Sequence, residues 1–347
     1  MGGGVVRDLR WPVRLLCALT AVVAAWSVLL VTAPSAQAKP GPAKVTVGAF
    51  IHDVQELDLE TGSFVMDFYL WFRWSDPSVD PSDSLEVMNS NGMENTTTSA
   101  TGGVTGKPLY DEPRIMPDGS KYMAYRYQGV FSRKMDLAKF PFDAQDLLVY
   151  FEDQDQDVRF LEFVPDATPV AISDTVTIPG YEIGTPRLTV VNHHYPTNFG
   201  DLSGPPEQDY SRITLELPVT RDVLPYLVKI MLPIIIVILI TSLIYIIPAR
   251  FEEARTGIGV TTMLTMVALQ WSTDSDLPSV EYLTMLDLVY ILSMLYILVA
   301  MGYAVFASRR SRKDAAEALL TALDRRVGII SLVVYVVLIA TTMISYL

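Results

Sequence analysis

The chain has 347 residues, a formal net charge of −13 and a composition that is 50% hydrophobic. This composition is too apolar for an ordinary soluble enzyme and suits a protein that is partly embedded in a membrane. The acidity argues against a nucleic-acid partner and favours cations near the surface of the protein.

The sequence contains no recognisable catalytic or cofactor-binding motif. We find no GxSxG, no phosphate-binding P-loop and no dinucleotide fingerprint. The single cysteine, Cys17, lies in the N-terminal segment, so the remaining sequence offers no disulfide and no cysteine-ligated metal. The three histidines lack the spacing of a zinc site. We therefore predict that the protein is not an enzyme and has no cofactor.

Residues 1–38 are predicted to be a secretory signal peptide. Basic residues precede the apolar run Leu15–Val31, and Ala36-Gln37-Ala38 matches an A-x-A cleavage site. An uncleaved membrane anchor is the alternative interpretation. A cleaved signal predicts that the residues after it lie outside the cytoplasm.

Residues 39–221 are predicted to form an extracellular β-sandwich of antiparallel strands. Short segments alternate between apolar and polar residues or are rich in β-branched and aromatic residues, and Pro, Asp and Gly turns separate them. This pattern is typical of an antiparallel sandwich. The stretch Ser82–Gly106 is rich in Asn, Thr, Ser and Gly and is predicted to be a loop. The predicted strands are Val45–Phe50, Phe64–Trp74, Lys121–Phe131, Leu147–Phe151, Arg187–Val191 and Ile213–Val219.

Residues 222–347 are predicted to form a transmembrane bundle of four helices. Three segments are strongly apolar, and the second, less apolar segment carries Thr, Gly and Gln on one stripe. The linker 308–326 is rich in arginine and is therefore predicted to be cytoplasmic. Four spans then place the N-terminal domain outside the cell membrane, in agreement with the signal peptide. The predicted helices are Tyr226–Ile247, Thr256–Trp271, Leu283–Phe306 and Val327–Leu347.

Six residues of the second helix recur at intervals of three or four and therefore share one face. A pore favours such a face, because an acid selects cations, a hydroxyl replaces hydration and apolar rings dewet when the pore is closed. The alternative is a helix whose polar residues face other helices. The six residues are Glu253, Gly257, Thr261, Leu264, Ala268 and Trp271.

Two longer motifs resemble those of the pentameric ligand-gated ion channels, the Cys-loop receptor superfamily. Residues Met135–Gln145 contain the sequence FPFDxQ and are similar to the Cys-loop turn, although Arg133 and Leu147 occupy the positions of the two family cysteines. The absence of these cysteines is typical of prokaryotic members. Residues Ala254–Met266 resemble the second helix of GABA and glycine receptors. The resemblance covers residues 45–347.

The resemblance implies a homopentamer in a lipid bilayer, with a ligand-binding sandwich above four helices in each subunit. The second helix of each subunit would line a central pore, which agrees with the stripe. The implied function is an ion channel opened by a small extracellular stimulus, through coupling of the sandwich to the pore helix. A membrane sensor that binds a ligand without conducting is one alternative, and an anion channel of the same family is another.

The pore mouth departs from the anion-selective receptors, which carry proline where this chain has Glu253. Five glutamates would form an anionic ring, in which charges about 6 Å apart repel by about 3 kcal/mol at an effective dielectric constant near 20. Such a ring attracts cations, so we predict that monovalent cations permeate and that Arg255 points away from the pore. The alternative is that Glu253 pairs locally with Arg250 or Arg255.

The resemblance also implies a ligand-binding pocket between subunits, with Tyr69 on one side and Glu152, Gln154 and Tyr210 on the other. Two tyrosine rings and a carboxylate suit a small organic cation, although Gln154 interrupts the aromatic box. Protons and divalent ions are alternative stimuli. Three neighbouring acids form a candidate site for a modulatory calcium ion, and a solvated loop is the alternative. These acids are Glu152, Asp153 and Asp155.

The resemblance assigns coupling to the junction between the sandwich and the helices. Arg221 is the cation just before the first helix, and Asp143, with Asp58 or Glu60 as a second carboxylate, is predicted to contact it. Loss of one partner of such a buried pair costs about 3–5 kcal/mol. Two phenylalanines of the FPFD turn are predicted to pack on the segment after the pore helix. These packing residues are Phe140, Phe142, Leu277 and Pro278.

Overall fold

The chain from Pro42 onward forms one compact unit. The predicted signal peptide lies almost entirely outside the residues that the structure describes, and so does the centre of the predicted loop Ser82–Gly106. This structure is a computed structural model, and it describes residues 1–2, 41–91, 103–200, 204–275, 280–311 and 317–346.

The first part of this unit is built from β-strands. Each of the six predicted strands lies inside an observed strand, because alternating burial is a strong local signal. The strands are β1 Ala43–Asp58, β2 Ser63–Trp74, β3 Leu85–Val87, β4 Thr105–Pro108, β5 Arg114–Ile115, β6 Lys121–Ser132, β7 Ala144–Asp153, β8 Leu161–Ile172, β9 Tyr181–Ile183, β10 Arg187–Tyr195 and β11 Gln208–Arg221.

These strands form two sheets that enclose one hydrophobic core. One sheet has the order β4-β6-β2-β1-β8 with β5 paired to β6, and the other has the order β10-β11-β7-β3 with β9 paired to β11. Inward-facing side chains alternate along β1, so Val45, Val47 and Ala49 are fully buried. Phe68 stacks on Tyr127 in the centre, with ring centroids 5.7 Å apart. The core therefore joins both sheets into a sandwich.

Strand β8 corrects the prediction of a wholly antiparallel sandwich, because it pairs in parallel with β1. Sequence analysis missed this strand, since Pro165 and Pro169 interrupt its pattern. Proline removes a backbone donor and is tolerated at the edge of a sheet, which is where β8 lies. The register with β1 also shifts between Val47 and Ala49.

The predicted loop Ser82–Gly106 is wrong at both of its ends. The helical turn α1, Pro81–Ser84, begins this stretch, and Asp80 caps it by accepting a hydrogen bond from the backbone N–H of Ser82. Strand β3 follows α1 directly, and β4 begins at Thr105. Pairing of β3 with β7 and of β4 with β6 thus orders the two ends of the stretch.

Within the described residues, four long helices follow β11. They are α2 Val223–Tyr245, α3 Glu252–Asp274, α4 Met285–Ser311 and α5 Glu317–Tyr346. By length and composition, α2, α4 and most of α5 can cross a membrane. Helix α3 has 23 residues but is less apolar, because acids occupy its first turn and several threonines follow. Composition therefore supports three of the four predicted spans.

The predicted linker 308–326 is mostly helical. Helix α4 extends to Ser311 and α5 begins at Glu317, so Arg309 and Arg326 belong to helices rather than to a loop. The first turns of α5 carry charged residues. Because the prediction depended on apolar content, it placed the start of this helix too late. The described part of this segment thus extends both helices beyond the predicted apolar runs.

Close packing fixes α3 against its neighbours α2 and α4. Gly259 lies on the buried face of α3, where an added Cβ would stand 2.3 Å from Met301 Cγ. At Gly328 of α5, an added Cβ would stand 2.7 Å from Tyr245 Cβ. Interiors packed this closely do not admit an extra carbon without displacement. These two glycines therefore permit the observed helix separations.

Candidate functional site

The predicted stripe of α3 lies on the exposed side of the helical bundle. The bulky residues Leu264 and Trp271 are 66% and 77% exposed. Large apolar side chains normally face a core, so this face is suited to contact something other than its own bundle. The residues that share this exposed face are Glu253, Gly257, Thr261, Leu264, Ala268 and Trp271.

The opposite face of α3 is buried and contains Arg255, Gly259, Thr262 and Met266. Arg255 is fully buried, whereas Glu253 is exposed and makes no hydrogen bond or ion pair within the described residues. The alternative pairing of Glu253 with Arg255 is therefore not formed. The start of α3 presents its acid outward and its guanidinium inward, as predicted for Arg255.

Asp324 of α5 binds the buried guanidinium of Arg255. Arg255 Nη2 donates to Asp324 Oδ2 at 2.5 Å, and Arg255 Nε donates to the carbonyl oxygen of Ile247 at 2.8 Å. The hydroxyl of Tyr303 donates to Asp324 Oδ1 at 2.7 Å. Sequence analysis missed Asp324, because the residue lies 69 positions away in a charged segment that resembles a solvated linker.

Arg221 and Asp143 form a buried ion pair at the junction between the sandwich and the helices. Arg221 Nε and Nη2 donate to the two Asp143 oxygens at 2.6 and 2.9 Å, and neither side chain is more than 2% exposed. Gln145 Nε2 donates to the same carboxylate at 2.8 Å. The predicted contact is present. Asp58 instead accepts hydrogen bonds from Thr61 and is not the second carboxylate.

Three aromatic rings surround the Arg221 guanidinium. The ring centroids of Phe140, Tyr181 and Tyr226 lie 4.9, 4.7 and 5.0 Å from Arg221 Cζ, and Nη1 donates to the Tyr226 hydroxyl at 3.1 Å. Burial opposes the charge, but the hydrogen bonds and charge of Asp143 outweigh it, so the pKa of Arg221 is raised. Burial also raises the pKa of Tyr181 to about 12. The cluster therefore holds a permanent cation among neutral rings.

The FPFD turn reaches into the helical bundle through Phe140. This residue is buried in the apolar cluster of the helices, and its ring lies edge-on to Tyr226 with centroids 5.7 Å apart. Phe142 is half-buried. The predicted partners Leu277 and Pro278 lie outside the described residues, so packing against them stays a prediction.

Backbone hydrogen bonds attach the same turn to the start of α4. The N–H of Leu137 donates to the Tyr282 hydroxyl at 3.0 Å. The N–H of Met285 donates to the Ala138 carbonyl oxygen at 2.9 Å. Two elements thus hold the turn: α2 through Tyr226 and the entry to α4 through these bonds. Contacts of the turn therefore reach both α2 and the start of α4.

A cavity of about 770 Å³ opens beside β7 and the loop between β10 and β11. Three predicted ligand-binding residues, Glu152, Gln154 and Tyr210, line it together. Burial raises the pKa values of Tyr195 and Tyr210, so both hydroxyls are neutral. The lining combines acids with aromatic rings. Its other acids and rings are Glu86, Asp153, Asp155, Asp157, Phe160, Tyr195 and Phe199.

Tyr69 lies apart from this cavity, on β2 of the other sheet. Its ring is 6.1 Å from the ring of His52 and 5.5 Å from Arg126 Cζ. Arg126 in turn pairs with the buried carboxylate of Asp67 at 2.6 Å. One subunit therefore does not bring all four predicted ligand residues together, and a joint site needs Tyr69 from a neighbouring copy.

Glu152 is already engaged in an ion pair. Its Oε1 accepts a hydrogen bond from Arg212 Nε at 2.5 Å, and its Oε2 accepts one from the Tyr195 hydroxyl at 2.9 Å. Glu152 is only 3% exposed. Sequence analysis missed Arg212, although the register supplies the signal: Ile213 pairs with Phe151, which brings the adjacent residues together. The carboxylate of Glu152 is thus neutralised before any ligand binds.

The structure does not gather the predicted calcium ligands. Asp153 is buried and accepts hydrogen bonds from Ser84 Oγ at 2.6 Å and from the backbone N–H groups of Asp155 and Gln156 at 3.0 and 2.7 Å. Burial raises the pKa of Asp153. Across the described part of the chain, no three His, Cys, Asp or Glu side chains are arranged to hold a metal ion. Of the three acids of this prediction, Glu152 and Asp153 are bonded to protein groups, and Asp155 lies near Asp153.

Comparison with known proteins finds a channel and a receptor subunit. The chain is 25% identical over 275 residues to pH-sensitive chloride channel 2 of Drosophila melanogaster, which covers 74% of the chain and 51% of the relative. It is 23% identical over 207 residues to the gamma-aminobutyric acid receptor subunit beta of Lymnaea stagnalis, which covers 58% of the chain and 40% of the relative. The chain spans about half the length of these relatives or less. No family model matches it.

Neither relative is an enzyme, which agrees with the absence of catalytic motifs. Their similarity to the chain agrees with the resemblance to the pentameric ligand-gated channels seen in the sequence motifs. A strand-rich first part with apolar helices after it fits the same resemblance. The prokaryotic branch of that superfamily stays a prediction.

Proposed function

We propose that the chain is one subunit of a homopentameric ligand-gated cation channel in the cell membrane, with its sandwich outside the cytoplasm. The observation that carries this proposal is the exposed stripe of α3, which runs from Glu253 to Trp271 opposite a buried face. Five stripes around an axis would surround a lumen with one acidic ring, one hydroxyl ring and two bulky apolar rings.

Assembly into a pentamer also accounts for the modest hydropathy of α3. A helix that lines water on one face and packs on α2 and α4 on the other does not need a continuous apolar surface. Helix α3 is then the fourth span that composition alone does not identify. Four spans keep both ends of the helical part on the same side as the sandwich.

Cation selectivity follows from the charges at the start of α3. Glu253 is exposed on the stripe, whereas Arg255 is buried against Asp324. A carboxylate about 5 Å from a permeating ion contributes more than 1 kcal/mol even at an effective dielectric constant of about 40. Five such groups therefore favour cations over anions by a large factor.

The direct test is the reversal potential of purified channels in planar bilayers under a sodium chloride gradient. We expect wild-type currents to reverse near the sodium equilibrium potential. Glu253→Ala should lower the cation-to-anion permeability ratio roughly tenfold or more, because about 1.4 kcal/mol already corresponds to tenfold. Glu252→Gln removes a neighbouring acid outside the stripe and serves as the matched control. Reversal of wild-type currents near the chloride potential would contradict the proposal.

An anion-conducting channel is the second candidate, and the relative named as a chloride channel favours it. In that case the acid ring would not control permeation, and Glu253→Ala would leave a chloride-like reversal unchanged. A sensor that does not conduct is distinguished by the absence of any single-channel current in the same bilayers. The same recording thus separates all three functions.

The cavity in the sandwich supports a small organic cation as the stimulus. Acids outnumber the one lining arginine, Arg159, and four aromatic rings are available to stack on an ammonium group. Arg212 neutralises Glu152, and Arg159 pairs with Asp157. The negative charge that attracts a ligand is therefore assigned to Asp153 and Asp155, and the rings offer their faces. Tyr69 of an adjacent subunit would complete the site.

Activation by a series of primary amines tests this assignment. We expect millimolar to high micromolar half-activation, and Tyr210→Ala should raise it several-fold, since one ring contributes roughly 0.5–2 kcal/mol. Tyr110→Ala removes a half-buried tyrosine outside the cavity, which contacts Arg114 and Tyr122, and should leave half-activation by amines unchanged. If amines do not activate the channel, and currents depend on pH or on divalent ions instead, the stimulus is a proton or a divalent ion.

A further inference from the structure

We infer that Asp324 is a positioning residue for ion selectivity, because it holds the positive charge of Arg255 away from the mouth that Glu253 is proposed to form. The inference rests on the proposed channel function. It concerns a residue of α5, which contributes nothing to the exposed stripe itself.

The two charges at the start of α3 lie on opposite sides of the helix. Residues two positions apart are separated by about 200° around an α-helix, so Glu253 and Arg255 diverge. A helix is about 10 Å in diameter with its side chains. The guanidinium of Arg255 therefore lies roughly one helix diameter from the carboxylate of Glu253, close enough to influence an ion there unless a counter-charge cancels it.

Asp324 supplies that counter-charge and is itself held in place. Arg255 is 0% and Asp324 is 4% exposed at their side chains, so water does not screen the pair. Tyr303 donates to the second oxygen of Asp324 and orients the carboxylate toward Arg255. Within the described residues, the remaining protein partner of Arg255 is the carbonyl of Ile247, and Arg255 Nη1 has none. The charge balance at this point thus depends on Asp324.

Removal of Asp324 would therefore act on ions through Arg255. A guanidinium keeps its charge at any pH that the protein tolerates. Five uncompensated cations at about 10 Å from the mouth repel cations and attract anions, and both effects lower the permeability ratio. We expect a fall of roughly threefold or more, even with screening over a Debye length of about 10 Å.

If the Arg255–Asp324 pair only stabilises the fold, a different result is expected. Loss of either partner would then impair assembly in the same direction, and selectivity among surviving channels would not change. The charge hypothesis predicts that the two variants affect the permeability ratio differently. Asp324→Asn leaves the charge of Arg255 without its counter-charge, whereas Arg255→Gln removes that charge. It also predicts that the two changes cancel when they are combined.

The experiment measures sodium-to-chloride permeability from reversal potentials for four channels: wild type, Asp324→Asn, Arg255→Gln and the double variant. We expect the ratio to fall in Asp324→Asn, to stay at or above the wild-type value in Arg255→Gln, and to return to it in the double variant. Tyr303→Phe keeps every charge and should change the ratio by less than twofold.

An unchanged ratio in Asp324→Asn, or an equal fall in Arg255→Gln and the double variant, would overturn the inference. If the Asp324→Asn homopentamer does not assemble, co-expression with wild-type subunits gives mixed channels, and the ratio should fall as the mutant fraction rises. Wild-type channels that do not conduct, or that prefer chloride, would refute the proposed function and this inference with it. Cation-selective wild-type channels with an unchanged ratio in Asp324→Asn would refute the inference alone.

Discussion

The chain buries two arginine–aspartate pairs at opposite ends of α2, and they are built differently. Arg221 has Asp143 on two of its nitrogens, Tyr226 on the third and aromatic rings around it. Arg255 has one bond to Asp324 and leaves Nη1 without a partner in the described part of the chain. The first pair is saturated and lies between the sandwich and the helices, whereas the second is incomplete and lies inside the helical bundle.

This difference favours separate roles for the two arginine–aspartate pairs. A saturated cluster fixes the geometry of its surroundings, since each lost contact leaves a buried polar group unpaired. An incomplete pair fixes geometry less strictly, and its main effect on the surroundings is electrostatic. We therefore expect changes at Arg221 to affect opening and changes at Arg255 to affect permeation.

The largest expected effect is that of Arg221→Ala. It leaves Asp143 buried without its partner, at a cost of about 3–5 kcal/mol, and it removes the link between the FPFD turn and α2. Subunits should assemble and reach the membrane but fail to open, as judged by surface labelling and by currents. Arg187→Ala breaks the exposed pair with Glu216, where about 0–1 kcal/mol is expected, and serves as the control. Normal currents from Arg221→Ala would remove the coupling role.

A smaller effect is expected at the stripe between the two pairs. Leu264→Ser exchanges a bulky apolar residue on the exposed face for a hydroxyl. If five Leu264 side chains close the lumen, hydration of that ring should raise the basal current and lower the half-activating concentration roughly tenfold, since one leucine burial is worth about 1.5–3 kcal/mol. Leu269→Ser makes the same change away from the stripe. Unaltered basal current and sensitivity in Leu264→Ser would assign the gate to another ring.

The smallest effects come from a matched pair of single hydroxyl deletions. Tyr226→Phe removes one hydrogen bond from Arg221, and Tyr303→Phe removes one from Asp324. The bond of Tyr226 contributes about 0.5–1.5 kcal/mol, so the expected shift of half-activation in Tyr226→Phe is several-fold. We expect Tyr226→Phe to shift half-activation and to preserve permeability ratios. Tyr303→Phe should leave half-activation unchanged. Dose–response curves that shift equally in both variants would contradict the division of tasks.

Local patterns predicted most of the fold, and their failures have identifiable causes. Alternation located the long strands, but β8 carries two prolines and its partner β1 runs in parallel, so neither pattern nor chain order reveals it. Apolar runs located the helices, but the polar first turns of α5 fall below that signal. Edge strands and charged helix ends depend on tertiary contacts that a local pattern does not contain.

The candidate sites likewise contain some contacts that sequence motifs predict and others that they do not. Arg221 and Asp143 belong to recognisable motifs, so their contact was predictable. Glu152 was predicted to bind a ligand, yet Arg212 on the neighbouring strand neutralises its charge. That contact can be predicted only when the register of β11 against β7 is known. The partner of Arg255 is a residue of α5 that no motif includes. Pairing between distant segments is the part that sequence patterns did not supply.

Gly259 restricts the motions that are open to α3. A Cβ at this position would collide with Met301, so the contact with α4 accepts only a residue without a side chain. A turn of α3 about its own axis by one residue, about 100°, would bring Ile258 or Val260 to that point, where no space exists for a branched side chain. A rotation of α3 by one full residue about its long axis is therefore blocked unless Met301 moves.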